Sequence, residues 1–242
     1  MAAAIEFKNV KKAYGENVVL EGFCLSVTEG EFVTIIGSSG CGKTTVLKMV
    51  NGLVEPTSGD VLIDGENIRG KDMTKLRRNI GYAIQGSILF PHMTVGQNIA
   101  YVPSLLHRKH KEKIKAAVAE WMEIVGLDGE MRKRYPSELS GGQQQRVGIA
   151  RALAASPKIL LMDEPFGAVD EITRGQLQNE LRQIYEKTGI TILFVTHDIS
   201  EALKLGTKVL AMDGGTIQQY AEPDEFLHNP ATPFVRQLVG KH

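Results

Sequence analysis

The sequence predicts an α/β fold with a mixed central sheet, an antiparallel β part and an inserted helical segment, and three observations lead there. Short apolar runs bounded by turn signals stand at both ends of the chain, in VVLEGFCLSV, EFVTIIG, KILLMDEP, ITILFVTH and KVLAMD. Runs of that length read as strands. VLIDGENI and VLAMDGGTIQQYA place Asp-Gly between strand-like segments, the cue for a tight hairpin, so antiparallel pieces flank the buried strands. In EKIKAAVAEWMEIVG, Ile114, Val118, Trp121 and Val125 recur at helical spacing, which predicts a helical insertion over roughly residues 88 to 156. Trp121, the only tryptophan, is expected to fill the core of that insertion.

A chain of 242 residues can bury a sizeable core. We expect one domain over 1–242, with 1–87 and 157–242 forming its main core and 88–156 its helical subdomain. The 28 basic and 28 acidic residues cancel without a long block of one sign, so no polyanion-binding surface and no nucleic-acid partner are expected. Cys24 and Cys41 lack metal-ligand spacing, in keeping with a reducing, cytosolic compartment. The N-terminal MAAAIEFKNVKKAYG is broken by Glu6 and Lys8 and is no signal peptide. Nowhere do about 18 apolar residues follow one another, so the chain is not expected to cross a membrane by itself.

GSSGCGKT, residues 37 to 44, fits G-x-x-x-x-G-K-[ST] between the apolar strand FVTIIG and the helical TTVLKMVNGL. Gly37, Gly40 and Gly42 let the backbone curl so that successive N–H groups face an anion, and the following helix adds its positive end. Lys43 then reaches the outer phosphates of a nucleoside triphosphate, Thr44 offers a hydroxyl to magnesium, and Thr45 serves the inner phosphates.

ILLMDEP carries an apolar strand to Asp163 and Glu164. Adjacent carboxylates at a strand end point to different sides and can do different work. Asp163 suits magnesium, while Glu164 can orient or deprotonate the water that attacks the γ-phosphate. TILFVTHD brings another buried strand to His197, and ligands of doubly wound sheets lie beyond such strand ends. His197 can contact the γ-phosphate, or can merely start the helix SEALKLG. Asp198 with Glu201 gives a D-x-x-E helix start, which makes Asp198 a cap. Gln85, after NIGYAI, can ligate magnesium or water through its amide oxygen. Tyr14 in KKAYGEN is a candidate platform for a purine ring, or a half-exposed tyrosine before a turn.

A second glycine-rich stretch, LSGGQQQR, begins at residue 139. Ser140 and Gln143 have capping-box spacing, with Gly141 and Gly142 allowing close approach. The N-terminus so formed favours an anion. On local physics alone this is an ordinary capped helix.

Taken together, these residues resemble the nucleotide-binding subunit of ATP-binding cassette (ABC) transporters. The resemblance covers nearly the whole chain: Tyr14 as the adenine-stacking aromatic, Gly37, Ser38, Ser39, Gly40, Cys41, Gly42, Lys43, Thr44 and Thr45 as Walker A, Gln85 as the Q-loop, LSGGQ at 139 to 143 as the signature, 159 to 164 as Walker B, GAVD at 167 to 170 as the D-loop, and His197 as the H-loop. The D-loop departs slightly, with Gly167 and Val169 where Ser and Leu are usual, while Asp170 remains. The resemblance implies the P-loop NTPase fold of ABC type with a RecA-like core, and ATP hydrolysis assisted by Mg2+. It implies Glu164, His197, Lys43 and Gln85 as catalytic residues, and Thr44, Gln85 and Asp163 as metal ligands. It also implies a head-to-tail pair of copies, in which Ser140, Gly141, Gly142 and Gln143 close over the ATP held by the other copy.

Within that family RYPSELSGGQQQRVGIARAL is similar to importer subunits, and GYAIQGSILFPHMTVGQNIAYVPSLL to the quaternary-amine group that takes up glycine betaine, choline or carnitine. The implied partners are a second copy, transmembrane permease subunits docking near Phe90 and Pro91, and indirectly an extracellular solute-binding protein. The implied location is the cytoplasmic face of the membrane. Relatives of that group often continue into paired CBS domains; the sequence ends at His242, so regulation by an appended domain is not expected. An importer for another solute, such as an amino acid or polyamine, and a soluble ABC-type ATPase acting on nucleic acid or ribosomes are the competing expectations.

Overall fold

The computed structural model describes residues 2–84, 89–107, 110–167 and 169–240. Along the chain run β1 (Ala3–Tyr14), β2 (Asn17–Thr28), β3 (Phe32–Gly37), α1 (Lys43–Val50), β4 (Ser58–Ile63), β5 (Glu66–Asn67) and α2 (Met73–Arg78). Then come β6 (Ile80–Ile84), α3 (Val95–Leu106), α4 (Lys111–Ile124), α5 (Gly141–Leu153), β7 (Ile159–Asp163) and α6 (Glu171–Thr188). The last stretch holds β8 (Thr191–Val195), α7 (Ile199–Leu205), β9 (Lys208–Asp213), β10 (Thr216–Ala221), α8 (Pro223–His228) and α9 (Pro233–Val239). Two compact units divide the chain, Met1–Arg77 with Gly189–His242, and Arg78–Thr188.

The first unit holds an antiparallel sheet in the order β2-β1-β4-β5 and a mixed arrangement in the order β10-β9-β3-β8. There β3 runs parallel to β8 and β9, and β9 runs antiparallel to β10. The two differ as their sequences do. In β2 one face is buried through Leu20, Phe23, Leu25 and Val27, and Phe23 meets Phe7 of β1 edge to face at 5.2 Å. All of β8, and β3 up to Ile36, are buried, as befits parallel strands covered on both faces. The β4–β5 turn places Asp64 and Gly65 at φ 51° and 76°, the left-handed pair that the Asp-Gly signal predicts. The other hairpin differs by one residue: Gly214 and Gly215 form its tip at φ 52° and 77°, and Asp213 stays on β9. Two glycines reach positive φ with less strain than an aspartate would. Phe226 of α8 and Val235 of α9 pack on Ile36, Val209, Ala211 and Ala221, closing the core over that edge.

In the second unit β6 and β7 pair in parallel, with Ile84 opposite Asp163. Val118, Trp121 and Met122 of α4 are buried, so the tryptophan is the core residue its spacing predicted. A Thr94–Gln97 capping box starts α3. Asn98, fully buried, accepts the Phe90 N–H at 2.9 Å and donates to the carbonyls of Phe90, Met93 and Thr94, fastening the turn before α3 to the helix. Among the described residues no helix is long and apolar enough to cross a membrane.

Candidate functional site

In the first unit β3 delivers the phosphate loop. A Cβ on Gly37 would fall 2.0 Å from the Met212 carbonyl oxygen of β9, so only glycine fits where the strand ends. Gly42 caps α1 at φ 103° and contributes no side-chain hydrogen bond. A helix start of this kind offers first-turn N–H groups and the positive dipole end to an anion. Lys43 is buried, and its ammonium donates to the carbonyls of Gly37 and Ser38, each at 2.8 Å. The Cys41 sulfur lies 3.9 Å away. The lysine is thus folded over its own loop. Ser38 Oγ donates to Asp213 Oδ1 at 2.6 Å, which ties the loop to the end of β9. Asp213 is a supporting residue that the motif reading passed over as a turn residue. Its place at the end of the apolar strand KVLAMD is the signal that picked out Asp163 and His197.

The Thr196 N–H donates to the Ile35 carbonyl at 3.1 Å, continuing the parallel register in which Ile35 faces Val195. His197 therefore leaves the sheet at the same end as Gly37, and it is exposed. Asp198 Oδ1 accepts the N–H groups of Ser200 and Glu201, which is the expected cap. The Glu201 carboxylate does not complete a capping box. It is buried and accepts the Thr196 hydroxyl, because a carboxylate removed from water takes the nearest donor. Tyr14 ends β1 opposite Asn17, exposed, with the Lys12 ammonium 4.6 Å from its ring centre. Val19 and Leu20, a few residues on in β2, pack against Gly42, so this hairpin end lies beside the phosphate loop.

In the second unit β7 is buried along its length and ends on Asp163. Burial, and then the negative charge of Asp163, push the Tyr82 phenol on β6 up to about 12. Glu164 follows at φ 47°, so the chain turns sharply between the two carboxylates. The capping box at the second glycine-rich stretch is present: Ser140 Oγ accepts the Gln143 N–H at 3.3 Å, and Gln143 Oε1 accepts the Ser140 N–H at 2.9 Å. Gln144, not singled out from the sequence, donates to the carbonyls of Pro136 and Leu139 and secures the segment leading into the helix. Asp170 Oδ1 accepts the Thr173 N–H at 3.0 Å and caps α6. Gln85 and Ala168 lie outside the described residues.

Among the described residues no group of three or more His, Cys, Asp or Glu could hold a metal ion. The hydroxyl of Thr44 and the carboxylate of Asp163 are hard oxygen donors. Such donors suit magnesium, which keeps most of its water and takes one or two protein ligands together with phosphate.

The chain is 50% identical over 98% of its length to the glycine betaine/carnitine/choline transport ATP-binding protein OpuCA of Bacillus subtilis (strain 168), of which it spans 62%. It is equally identical, over 98% of its length and 77% of the relative, to the glycine betaine uptake system ATP-binding protein YehX of Escherichia coli (strain K12). Among solved structures, the dimeric post-hydrolysis state of the ATP-binding cassette MJ0796 bound to ADP and Pi superposes with a TM-score of 0.81 at 35% identity, over 90% of this chain and 98% of that one. A family model described as ABC transporter matches residues 20–167, and with that match the chain belongs to the ABC transporter family.

Proposed function

We propose that this chain binds and hydrolyses ATP as one of a head-to-tail pair and thereby drives the uptake of a small quaternary-amine solute through a membrane permease. The observation that carries this reading is the presence of two helix starts suited to anions in one chain, α1 behind the phosphate loop and α5 behind Ser140. One suffices for a nucleotide; two make sense when nucleotides are shared between copies.

The loop N–H groups around Gly40 and Gly42 hold the phosphates, and Lys43 exchanges the Gly37 and Ser38 carbonyls for phosphate oxygens. Thr44, Asp163 and Gln85 would hold Mg2+, which would neutralise charge on the phosphates. Glu164 takes the proton of the attacking water as its oxygen bonds to the γ-phosphorus; the bond to the bridging oxygen breaks and ADP leaves with the electron pair. His197 holds the γ-phosphate and that water, and Tyr14 stacks on the adenine. Ser140, Gly141, Gly142 and Gln143 of one copy close over the nucleotide of the other, and Asp170 lies at the same face.

The helical stretch 88–156 is the inserted subdomain in this reading, and it carries the permease contact. Phe90 is held by Asn98, its ring 4.8 Å from Tyr101 and 5.3 Å from the Arg151 guanidinium, and together with Ile84 these line an apolar groove. A short permease helix fits such a groove. The names of the two bacterial relatives support a betaine-like cargo. Such a cargo would be delivered by an extracellular binding protein, with this chain on the cytoplasmic face.

The Glu164→Gln protein tests the shared site, because it binds ATP without consuming it. Size-exclusion chromatography with light scattering should show a dimer with ATP and a monomer with ADP. A monomer under both conditions, with ATP binding retained, would overturn the pairing.

A further inference from the structure

The β9–β10 hairpin bears on both ends of the phosphate loop. Where the loop begins, Gly37 lies opposite Met212 in the parallel pairing of β3 with β9, with no room for a Cβ between them. The next residue on each side continues the contact, Ser38 Oγ donating to Asp213 Oδ1 at 2.6 Å. Where the loop ends, Gly42 lies against Val19 and Leu20 of β2, and the tip of the hairpin rests on that same stretch: a Cβ on Gly215 would fall 2.3 Å from the Val19 carbonyl oxygen. Asp213 is itself fixed. It pairs with Thr216 across the hairpin, and the Thr216 hydroxyl donates to its carbonyl at 2.9 Å. Its carboxylate thus stands on a rigid strand end, whereas Ser38 is exposed on a loop.

A serine hydroxyl has a single proton to donate. Committed to Asp213, that proton is not offered to a phosphate, and the side chain faces any anion with lone pairs alone. This makes the Ser38 hydroxyl a poor phosphate ligand and a good anchor. A hydrogen bond to a carboxylate is stronger than a neutral one, and a loop already held in its binding shape need not be ordered by its ligand. We propose that Asp213 is a positioning residue for the nucleotide: through the Ser38 hydroxyl it holds the first turn of the phosphate loop in place, and that hydroxyl serves the loop instead of the phosphates. Ser38 also lends its carbonyl to the Lys43 ammonium, so the same anchor steadies the lysine. The proposal rests on the reading of residues 37–45 as the seat of the ATP phosphates, and adds to it a residue that no motif in that stretch contains.

Calorimetric titration of the full chain with ADP and Mg2+ tests this without turnover. Ser38→Ala and Asp213→Ala should each weaken ADP binding about tenfold, the scale of losing a hydrogen bond to a charged group. Ser38→Ala added to Asp213→Ala should weaken it by less than about twofold more, because both changes remove the same bond. Asp213→Asn keeps an acceptor of the same shape without the charge, and should bind within about threefold of the parent. At saturating ATP, Asp213→Ala should turn over within about twofold of the parent while its KM rises, the signature of lost preorganisation and intact chemistry.

Unchanged ADP affinity in either alanine variant, an asparagine variant as weak as alanine, or a kcat that falls as far as the affinity would each overturn the proposal. So would a double variant weakened by the product of the two single losses, which would make the Ser38 hydroxyl a phosphate ligand in its own right. Should Asp213→Ala fail to fold, Ser38→Ala and Asp213→Asn decide: a tenfold loss in the first with near-parental binding in the second supports the proposal, and any other pairing counts against it. A parent that binds no ADP would remove the reading of the phosphate loop and the proposal with it, whereas a parent that binds ADP no better than its variants removes the proposal alone.

Discussion

Two helices in this chain begin on glycine-rich backbone, and they begin differently. The start of α1 has Gly42 in a left-handed conformation and no side-chain cap, with a buried lysine folded over the carbonyls behind it. The start of α5 has a reciprocal cap, in which Ser140 and Gln143 satisfy one another's N–H groups. In the proposed reading the first is a receptor, whose lysine stays on its own loop carbonyls until a ligand exchanges for them. The second is finished without a ligand, and offers an anion only what the cap does not use. The difference fits a division of labour in which α1 grips a nucleotide for the whole cycle while α5 meets one only when two copies close.

The largest effect that could break this comparison lies at Lys43. Lys43→Ala should lower ATP turnover by about a thousandfold, the scale of losing a preorganised charge that faces transition-state anionic oxygens. Steady-state phosphate release measures it, and near-normal turnover would mean that α1 is not the gripping start. A smaller effect sharpens the other side. Ser140→Ala should cost about 1 kcal/mol of stability, a fall of about 2–4 °C in Tm for a chain of this size, because α5 relies on its cap as α1 does not. An unchanged Tm would make the two starts alike.

The smallest effect concerns acid. The Asp170 carboxyl is held below its ordinary range by Thr173, so its contribution to stability is present above the unfolded-state pKa and is lost as pH falls through the lower folded value. Denaturant titrations at falling pH should show Asp170→Asn weaker than the parent at neutral pH and converging with it in acid. A constant gap across that range would mean that the α6 cap does not depend on the charge. Asp170 is exposed, so the difference should be slight.

What the sequence revealed, and what it did not, follows from distance along the chain. The strands FVTIIG, ILLMD and TILFV were legible because burial on both faces makes a continuous apolar run. The cap at Ser140 was legible because both partners sit within one helical turn. Asp198 was legible as a cap for the same reason, but Glu201 was not, since its carboxylate turned to the buried Thr196 hydroxyl. The contacts that give individual glycines their meaning came from elsewhere in the chain: Met212 against Gly37 and Leu20 against Gly42. Likewise Asp213 holds Ser38 across 175 residues, and no local pattern encodes such a pairing.

Glu164 sits at φ 47°, where a residue with a Cβ is held at a cost of about 1–2 kcal/mol. Glycine would occupy that backbone without the penalty. At this position, then, heat resistance and chemistry rank the amino acids in opposite order. A library of variants sorted only by how well it survives warming would tend to discard the glutamate that the proposed reaction needs, and the sturdiest survivors would include proteins that bind ATP and cannot spend it.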